Sequence, residues 1–116
     1  MYYKPFCNTE IKFSDKKGLE RILLSLNVAN IVLVMSESSV LRWDMIPFIE
    51  QLQYTCESLN GIFIWIKKMS ANPTQKDVIN ALRQIGSRKV DVIVAIGGGS
   101  SIDLAKGISA FYSIER

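Results

Sequence analysis

Short continuous apolar runs alternate along the chain with segments whose apolar residues recur at helical spacing. The runs are Ile31–Met35, Ile62–Ile66 and Val92–Ile96, and none of them is interrupted by a polar residue. Runs of this kind are typical of strands that are buried on both faces of a parallel sheet. A further short strand is expected over Glu10–Phe13.

The segments around these runs carry the three- to four-residue spacing of helices that pack one face on a sheet. Asp44 is expected to cap the second of them, with Pro47 in its first turn. Thr74 is expected to cap the third, and Asp77 lies three residues later, where a carboxylate favours the helix dipole. The helical positions are Leu19, Ile22, Leu23 and Leu26; Ile49, Leu52, Cys56 and Leu59; Val78, Ile79, Leu82 and Ile85; and Ile102, Ala105, Ile108 and Ser109, the last group in a helix expected over 101–112.

The alternation of strands and helices predicts an α/β fold with a Rossmann-like parallel sheet and flanking helices. The length of 116 residues suggests one domain over 1–116. A parallel sheet of three or four apolar strands leaves at least one hydrophobic edge unpaired. Since the chain also ends just after a helix, the sequence predicts a doubly wound domain that is cut short.

Composition excludes several kinds of function. The chain has no His, which removes imidazole catalysis and His-bound metal. Of the two Cys, Cys56 is expected to fill the core and Cys7 to lie near the surface, both as free thiols. The net charge of +3 comes from scattered residues, and pairs such as Lys67–Lys68 are expected on solvated faces, so no nucleic-acid partner is expected.

The apolar runs are also too short to cross a membrane, and the N-terminus lacks the pattern of a signal peptide. We therefore expect a cytoplasmic protein with no membrane partner. The large aromatic residues Trp43, Tyr54 and Trp65 are expected to fill the core or an interface, since this is a more common role than stacking on a cofactor.

One strand end is chemically distinctive, because the run ending at Ile96 leads through Gly97, Gly98 and Gly99 directly into a helix. Ligands of open α/β sheets bind beyond the carboxyl ends of the strands. Glycines let a phosphate approach the backbone, and the free amides of Gly99, Ser100 and Ser101 would converge at a helix N-terminus that favours an anion. Such a turn can also serve only to pack a helix closely on a sheet. It is neither the G-x-G-x-x-G fingerprint nor a Walker loop.

Two further positions have both a structural and a functional interpretation. Asp103 and Lys106 share a face of the helix after the glycines, where they can form an exposed ion pair, or Asp103 can point into the cleft toward a ligand. Ser36 follows the first long run, where it can belong to an ordinary loop or lie beside a ribose.

Three stretches resemble the iron-containing alcohol dehydrogenases of the dehydroquinate-synthase-like superfamily. Gly97–Lys106 matches the family's G-G-G-S-x-x-D-x-A-K motif, Asp91–Ile96 matches the strand before it, and Asn72-Pro73-Thr74 matches the N-P-T that opens the preceding helix. The resemblance covers the whole chain, which corresponds to the front part of the family's N-terminal domain.

The resemblance implies a site for NAD or NADP with the pyrophosphate at the glycine turn. By this analogy Gly97, Gly98, Gly99 and Ser100 contact the cofactor, Asp103 faces the nicotinamide or substrate side, and Lys106 supports the helix. Family members also commonly form dimers through this domain, so a homo-oligomer is expected.

The chain departs from the family's pattern in three places. Phe13–Lys16 stands where a glycine pair is usual. Ser36 aligns with an Asp that bonds the adenosine ribose in many NAD-specific members, and its lack of charge permits NADP. The all-helical domain whose Asp and three His hold the iron or zinc is absent, as is the second nucleotide-contacting segment, so no metal is expected on this chain.

Two further classes of function stay open beside an enzyme fragment that is inactive alone. One is a stand-alone, non-catalytic nucleotide-binding or interaction module. The other is a structural relic that self-associates through its open sheet edge.

Overall fold

The computed structural model describes residues 2–4, 9–11, 21, 28–69 and 72–115. The elements, in chain order, are β1 (Tyr2–Lys4), β2 (Thr9–Ile11), β3 (Ile31–Met35), α1 (Glu37–Arg42), α2 (Ile46–Ser58), β4 (Phe63–Lys67), α3 (Gln75–Ile85), β5 (Val92–Ala95) and α4 (Gly99–Glu115). Most of the helix expected around Leu19–Leu26 lies outside the described residues, and so do Cys7 and the segment 13–16.

The strands form one sheet in the order β2-β1-β5-β3-β4. β3 pairs in parallel with both β4 and β5, which confirms the predicted Rossmann-like α/β arrangement. β1 pairs antiparallel with β2 and with β5, so it covers one side of the parallel strands. The apolar pattern did not reveal β1, and β2 is the strand expected near residue 10. Within the described ranges, β4 forms the other edge and has β3 as its one neighbour.

One face of the sheet is covered by α2. Every residue of β3 is buried, so its side chains alternate between the two faces and fill both. The core of the α2 face consists of Ile31, Leu33, Met35, Val40, Met45, Phe48, Ile49, Leu52, Cys56, Val92, Val94 and Ile96. Because β3 leads into α1 and α2, the connection from β3 to β4 runs across this face.

The opposite face is covered by α3 and α4. Its core consists of Val32, Val34, Ile64, Ile66, Val78, Ala81, Ile85, Val90, Ile93, Ala95, Leu104, Ala105, Ile108 and Tyr112. The two helices approach closely at Gly107, where an added Cβ would lie 2.9 Å from the Val78 Cγ2 atom. The buried face predicted for the last helix is therefore confirmed, and Leu104 and Tyr112 extend it.

The helix boundaries confirm some sequence signals and correct others. Thr74 caps α3, and its side chain and that of Asp77 bond each other's backbone amide in a capping box. Pro47 lies in the first turn of α2 as expected, but Asp44 does not cap that helix. Asp44 has a φ of 50° in the turn after α1, and α2 begins beyond Met45. The sequence analysis did not predict α1. Because α1 ends just before Asp44, Asp44 lies in the turn between the two helices and Met45 takes the N-cap position of α2.

Several apolar and aromatic residues that the sequence analysis assigned to a buried helix face or to the core are exposed. Leu59 follows the end of α2 and is 38% exposed, and Ile79 on α3 is 42% exposed. Tyr54 is 72% exposed and Trp43 is 42% exposed, so neither fills the core of this chain. Trp65 does pack on the α2-face core, and its Nε1–H donates to the Met35 carbonyl oxygen at 2.9 Å.

Cys56 is a free, fully buried thiol, which confirms its role in the core. Burial raises its pKa above the ordinary value for cysteine, because the thiolate would lose its hydration. The thiol therefore stays protonated in the native protein at neutral pH.

Asn30 ties the amino ends of the parallel strands together. Its backbone and side-chain N–H groups both donate to Asp91 Oδ2, at 3.0 and 3.1 Å. Its side-chain oxygen accepts from the Ile62 amide at 3.2 Å. Since Asn30 precedes β3, Ile62 precedes β4 and Asp91 precedes β5, one side chain fixes the relative positions of all three strands. The carboxyl ends of these strands, at the opposite edge of the sheet, are correspondingly aligned.

Candidate functional site

The topology places a crevice between the carboxyl ends of β3 and β5. These two strands are neighbours, but β3 continues into helices on one face and β5 continues into α4 on the other. Adjacent strands whose connections leave toward opposite faces mark the switch point where open α/β sheets bind ligands. Ser36 begins the chain segment on one side of this crevice, and the glycine turn forms the other.

The glycine turn has the backbone geometry of an anion-binding helix start. The Gly98 carbonyl accepts the first helical bonds, from the amides of Ser101 at 3.1 Å and Ile102 at 3.4 Å. The amides of Gly99 and Ser100 lie ahead of these bonds and have no acceptor in the part of the chain that the structure describes. Amides of this kind carry the positive end of the helix dipole, which attracts an anion.

The three glycines differ in what the fold requires of them. Gly97 has a φ of 140°, and a Cβ there would lie 2.8 Å from the Ser101 hydroxyl oxygen. A Cβ on Gly98 or Gly99 would meet no atom within 4 Å. Close packing of helix on sheet therefore accounts for Gly97 and does not account for the other two. Open space next to unpaired amides is the arrangement that a bound phosphate needs.

Lys68 reaches the glycine turn from the end of β4. Its Nζ atom donates to the Ser100 hydroxyl oxygen at 2.7 Å. Sequence reasoning missed this residue, because it placed the Lys67–Lys68 pair on a solvated face. Position gave only a partial signal: Lys68 directly follows a half-buried parallel strand at the edge where ligands bind, but its contact with Ser100 depends on the strand order.

Lys67 has different partners from its neighbour. Its Nζ lies 3.9 Å from Glu37 Oε1 and 4.9 Å from the centroid of the Trp65 ring. Trp65 belongs to the α2-face core, so Lys67 extends along that side of the strand end. The two lysines therefore leave β4 in different directions, and only Lys68 contacts the glycine turn.

Ser36 lies at the end of β3 as predicted, but its side chain serves as a helix cap. Its Oγ accepts from the Ser39 amide at 3.2 Å and donates to the Ser39 hydroxyl at 2.9 Å. Ser38 Oγ is a further 3.2 Å neighbour. The hydroxyl is thus engaged within α1, and a contact with a ribose remains a prediction.

Asp103 and Lys106 are both exposed on α4, one turn after the glycines. The structure records no ion pair between these two described side chains, so the structural alternative expected from their spacing is not formed. Asp103 is accessible to a ligand at this end of the sheet, and its contact with a cofactor stays a prediction.

A cavity of about 150 Å³ lies between the end of β4 and α3, on the face of the sheet that α3 and α4 cover. Lys68, Asp77 and Leu104 contribute to its wall, together with residues of the end of β4 and of α3. Gly97–Gly99 do not line it. The cavity is therefore separate from the crevice between β3 and β5, and Lys68 lies between the two.

The described residues offer no metal site, because no three of their His, Cys, Asp or Glu side chains are grouped closely enough to hold an ion. The complete sequence also lacks the His residues through which the resembling family holds its metal. Among the described residues, no helix is both long and apolar enough to cross a membrane.

Comparison with known proteins shows which family this chain resembles. The model of the iron-containing alcohol dehydrogenase family matches residues 10–115. The 1-propanol dehydrogenase PduQ of Citrobacter freundii is 35% identical over 65 residues, which are 56% of this chain and 17% of that enzyme. The 4-hydroxybutyrate dehydrogenase of Cupriavidus necator is 40% identical over 58 residues, which are 49% of this chain and 15% of that enzyme. The aligned part is thus a small share of each relative, and no solved structure matches the chain.

Proposed function

Because the chain belongs to the iron-containing alcohol dehydrogenase family, we propose that it is the nucleotide-binding part of an NAD(P)-dependent alcohol or aldehyde oxidoreductase. The observation that carries this proposal is the glycine turn between β5 and α4. There, two amides lack an acceptor among the described residues, and two glycines border open space. The two relatives are named for different alcohols, so the proposal stops at the reaction class.

The cofactor's pyrophosphate would be held by the backbone amides of Gly99 and Ser100. Gly97 shapes the turn, and Gly98 and Gly99 leave room for the phosphates because they lack side chains. Ser100 would add a hydroxyl donor, since its oxygen accepts from Lys68 and its own proton stays available. A bound nicotinamide cofactor would supply or accept the hydride, and Asp103 would face that end of the cleft.

NADP is permitted as well as NAD under this proposal. Ser36 carries no charge that would repel a 2′-phosphate, and the neighbouring Glu37 lies within 4 Å of the Lys67 ammonium, which offsets its charge. A titration that shows strong preference for NAD⁺ over NADP⁺ would contradict this part of the proposal.

We also propose that this chain has no alcohol dehydrogenase activity alone. The family depends on a metal that polarises the substrate oxygen, and the described residues contain no group of side chains that fits one. The expected result is no NAD(P)-linked turnover with added Fe²⁺ or Zn²⁺. Measurable turnover under those conditions would overturn this statement.

The alternative function is a non-catalytic nucleotide-binding or self-association module of the cytoplasm. The observation that favours self-association is β4, an apolar strand with one partner strand among the described residues. Under either function we expect a homodimer or larger assembly. Light scattering on the purified chain tests this, and a monomeric mass would contradict it.

The experiment for the main proposal is isothermal titration of the chain with NAD⁺ and NADP⁺. Gly99→Ala is the informative variant, because its methyl group enters the space proposed for the phosphates and meets no protein atom within 4 Å. We expect the parent chain to bind and Gly99→Ala to lose binding at unchanged thermal stability. The control is Ser87→Ala, an exposed residue in the turn after α3, which should change neither binding nor stability. A parent chain that binds neither nucleotide would overturn the proposal.

A further inference from the structure

We infer that Lys68 is a phosphate-binding residue of the glycine turn, supplying a positive charge to the anion from the far side of the crevice. This inference rests on the proposed nucleotide site and adds to it a residue from a different strand. Its basis is the 2.7 Å contact between Lys68 Nζ and Ser100 Oγ, which brings an ammonium group to the start of α4.

The reach of Lys68 across the sheet directs it toward the crevice. β4 and β5 are not neighbours, because β3 lies between them. The side chain starts just after β4 and ends at Ser100, so it spans the carboxyl end of β3, at the mouth of the crevice. The Lys68 backbone amide also donates to the Met35 carbonyl oxygen at 3.2 Å, which fixes the origin of the side chain at the same edge.

The charge of Lys68 is not used in an ion pair with any described side chain. The described ion pairs are Lys67 with Glu37 and Lys89 with Asp91, and Lys68 takes part in neither. Its contact with Ser100 uses one of the three ammonium donors and leaves two for a ligand. The side chain is partly buried, so its attraction for an anion is less screened than that of an exposed lysine.

Lys68 and the turn together form a set of donors suited to a phosphate. The set contains the amides of Gly99 and Ser100, the Ser100 hydroxyl and the Lys68 ammonium. A phosphate oxygen that accepts from Ser100 lies within a few ångströms of the ammonium, since the two groups are in contact. A charge-assisted hydrogen bond is stronger than a neutral one, so the lysine contributes a substantial part of the affinity.

The test is an NMR titration of the 116-residue chain, followed at the amides of Gly99 and Ser100. The probes are inorganic pyrophosphate, NAD⁺ and adenosine, which has no phosphate. The variants are Lys68→Met, which removes the charge, and Lys68→Arg, which keeps it. Lys67→Met is the matched control, because it is the same change one residue away, where the side chain has other partners.

We expect Lys68→Met to weaken binding of pyrophosphate and NAD⁺ by roughly 10- to 100-fold. Lys68→Arg and Lys67→Met should stay within about threefold of the parent chain, since each keeps the charge at the turn. Adenosine binding should be unchanged in every variant. Added salt should weaken pyrophosphate binding more in the parent chain than in Lys68→Met, because an interaction between charges is screened.

The outcomes separate this inference from the proposed function. Binding of NAD⁺ that is equally strong in the parent chain and in Lys68→Met would overturn the role of Lys68 and leave the nucleotide site standing. Equal losses for adenosine and pyrophosphate would also overturn it, since they would mean that the lysine only shapes the turn. Failure of pyrophosphate and NAD⁺ to shift the turn amides of the parent chain would overturn both.

Discussion

At the scale of single residues, the glycine turn contains one glycine that the fold requires and two that it does not. Gly97 combines a positive φ with the close Ser101 hydroxyl, whereas Gly98 and Gly99 have ordinary backbone and open surroundings. A sequence of three glycines does not distinguish these roles. The distinction matters because variants at Gly99 report on ligand binding, and variants at Gly97 report on folding.

We therefore expect Gly97→Ala to lower the free energy of unfolding by about 1–3 kcal/mol, the usual cost of a strained backbone conformation. Gly99→Ala should stay within about 0.5 kcal/mol of the parent chain, because its methyl group meets nothing. Urea denaturation followed by circular dichroism measures both. Equal destabilisation by the two variants would show that the two positions do not differ as described.

A second residue-scale prediction concerns Cys56. Burial raises the pKa of its thiol, so the native state holds its proton at a pH where the unfolded state has lost it. The free energy of unfolding should therefore be unaffected by this group below the ordinary cysteine pKa of about 8.5, and should fall as the pH rises above it. Urea denaturation across that range checks this, with Cys56→Ala as the variant in which the decline should shrink. An equally steep decline in Cys56→Ala would assign the effect to another group.

At the scale of elements, the start of α3 is defined by a reciprocal cap. Thr74 and Asp77 satisfy each other's backbone amides, and Pro73 precedes them. A reciprocal box of this type fixes where the helix begins and satisfies two amides that would otherwise lack acceptors. Pro73 and Asp77 at this helix start line the same cavity as Lys68, which follows β4.

Removing this cap with Thr74→Ala should lower the free energy of unfolding by about 1 kcal/mol, the typical value for an N-cap hydroxyl. The matched control is Thr55→Ala within α2, where the hydroxyl only bonds the Gln51 carbonyl oxygen of the same helix. The control should change stability by less than about 0.5 kcal/mol. Chemical denaturation of both variants distinguishes them, and a loss in Thr55→Ala as large as in Thr74→Ala would contradict the argument.

Helices and strands could be predicted where the residues that indicate them lie close together in the sequence. The cap at Thr74 and the buried strands around β3 depend on residues close to one another in the chain, so spacing and residue type indicate them. Asp44 shows the limit of this reasoning, because a suitable cap residue precedes α2 and a short preceding helix takes its place. Lys68 could not be assigned to the turn, because its contact with Ser100 depends on strand order, and strand order depends on packing across the whole sheet.

At the scale of the whole molecule, Asn30 links the starts of the three parallel strands. The residues that it joins, Ile62 and Asp91, come from distant parts of the sequence. Because these hydrogen bonds lie at the amino edge of the sheet, they align strands whose carboxyl ends carry the proposed site. Stability and site geometry therefore depend on opposite edges of one sheet.

We expect Asn30→Ala to lower the free energy of unfolding by about 1–3 kcal/mol, since it leaves the Ile62 amide without its acceptor and removes one of the two Asn30 donors to the Asp91 carboxylate. Asn80→Ala on the exposed surface of α3 is the matched control and should change stability by less than about 0.5 kcal/mol. Melting curves of the two variants provide the comparison. A melting temperature for Asn30→Ala equal to that of the control would mean that the strands are aligned by their packing alone.

The pairing of β1 with β5 also has a consequence for how the protein is made. β1 is the first of the described strands and β5 the last, and the two pair through Tyr2 with Val94 and Tyr3 with Ile93. β3 and β4 are both synthesised before β5, so they can associate while synthesis continues. Among the described strands, β1 has no neighbour except β2 until β5 has been synthesised. β1 therefore joins the parallel strands only after β5 has emerged from the ribosome, and we expect chaperones to contact β1 for longer than β3 or β4.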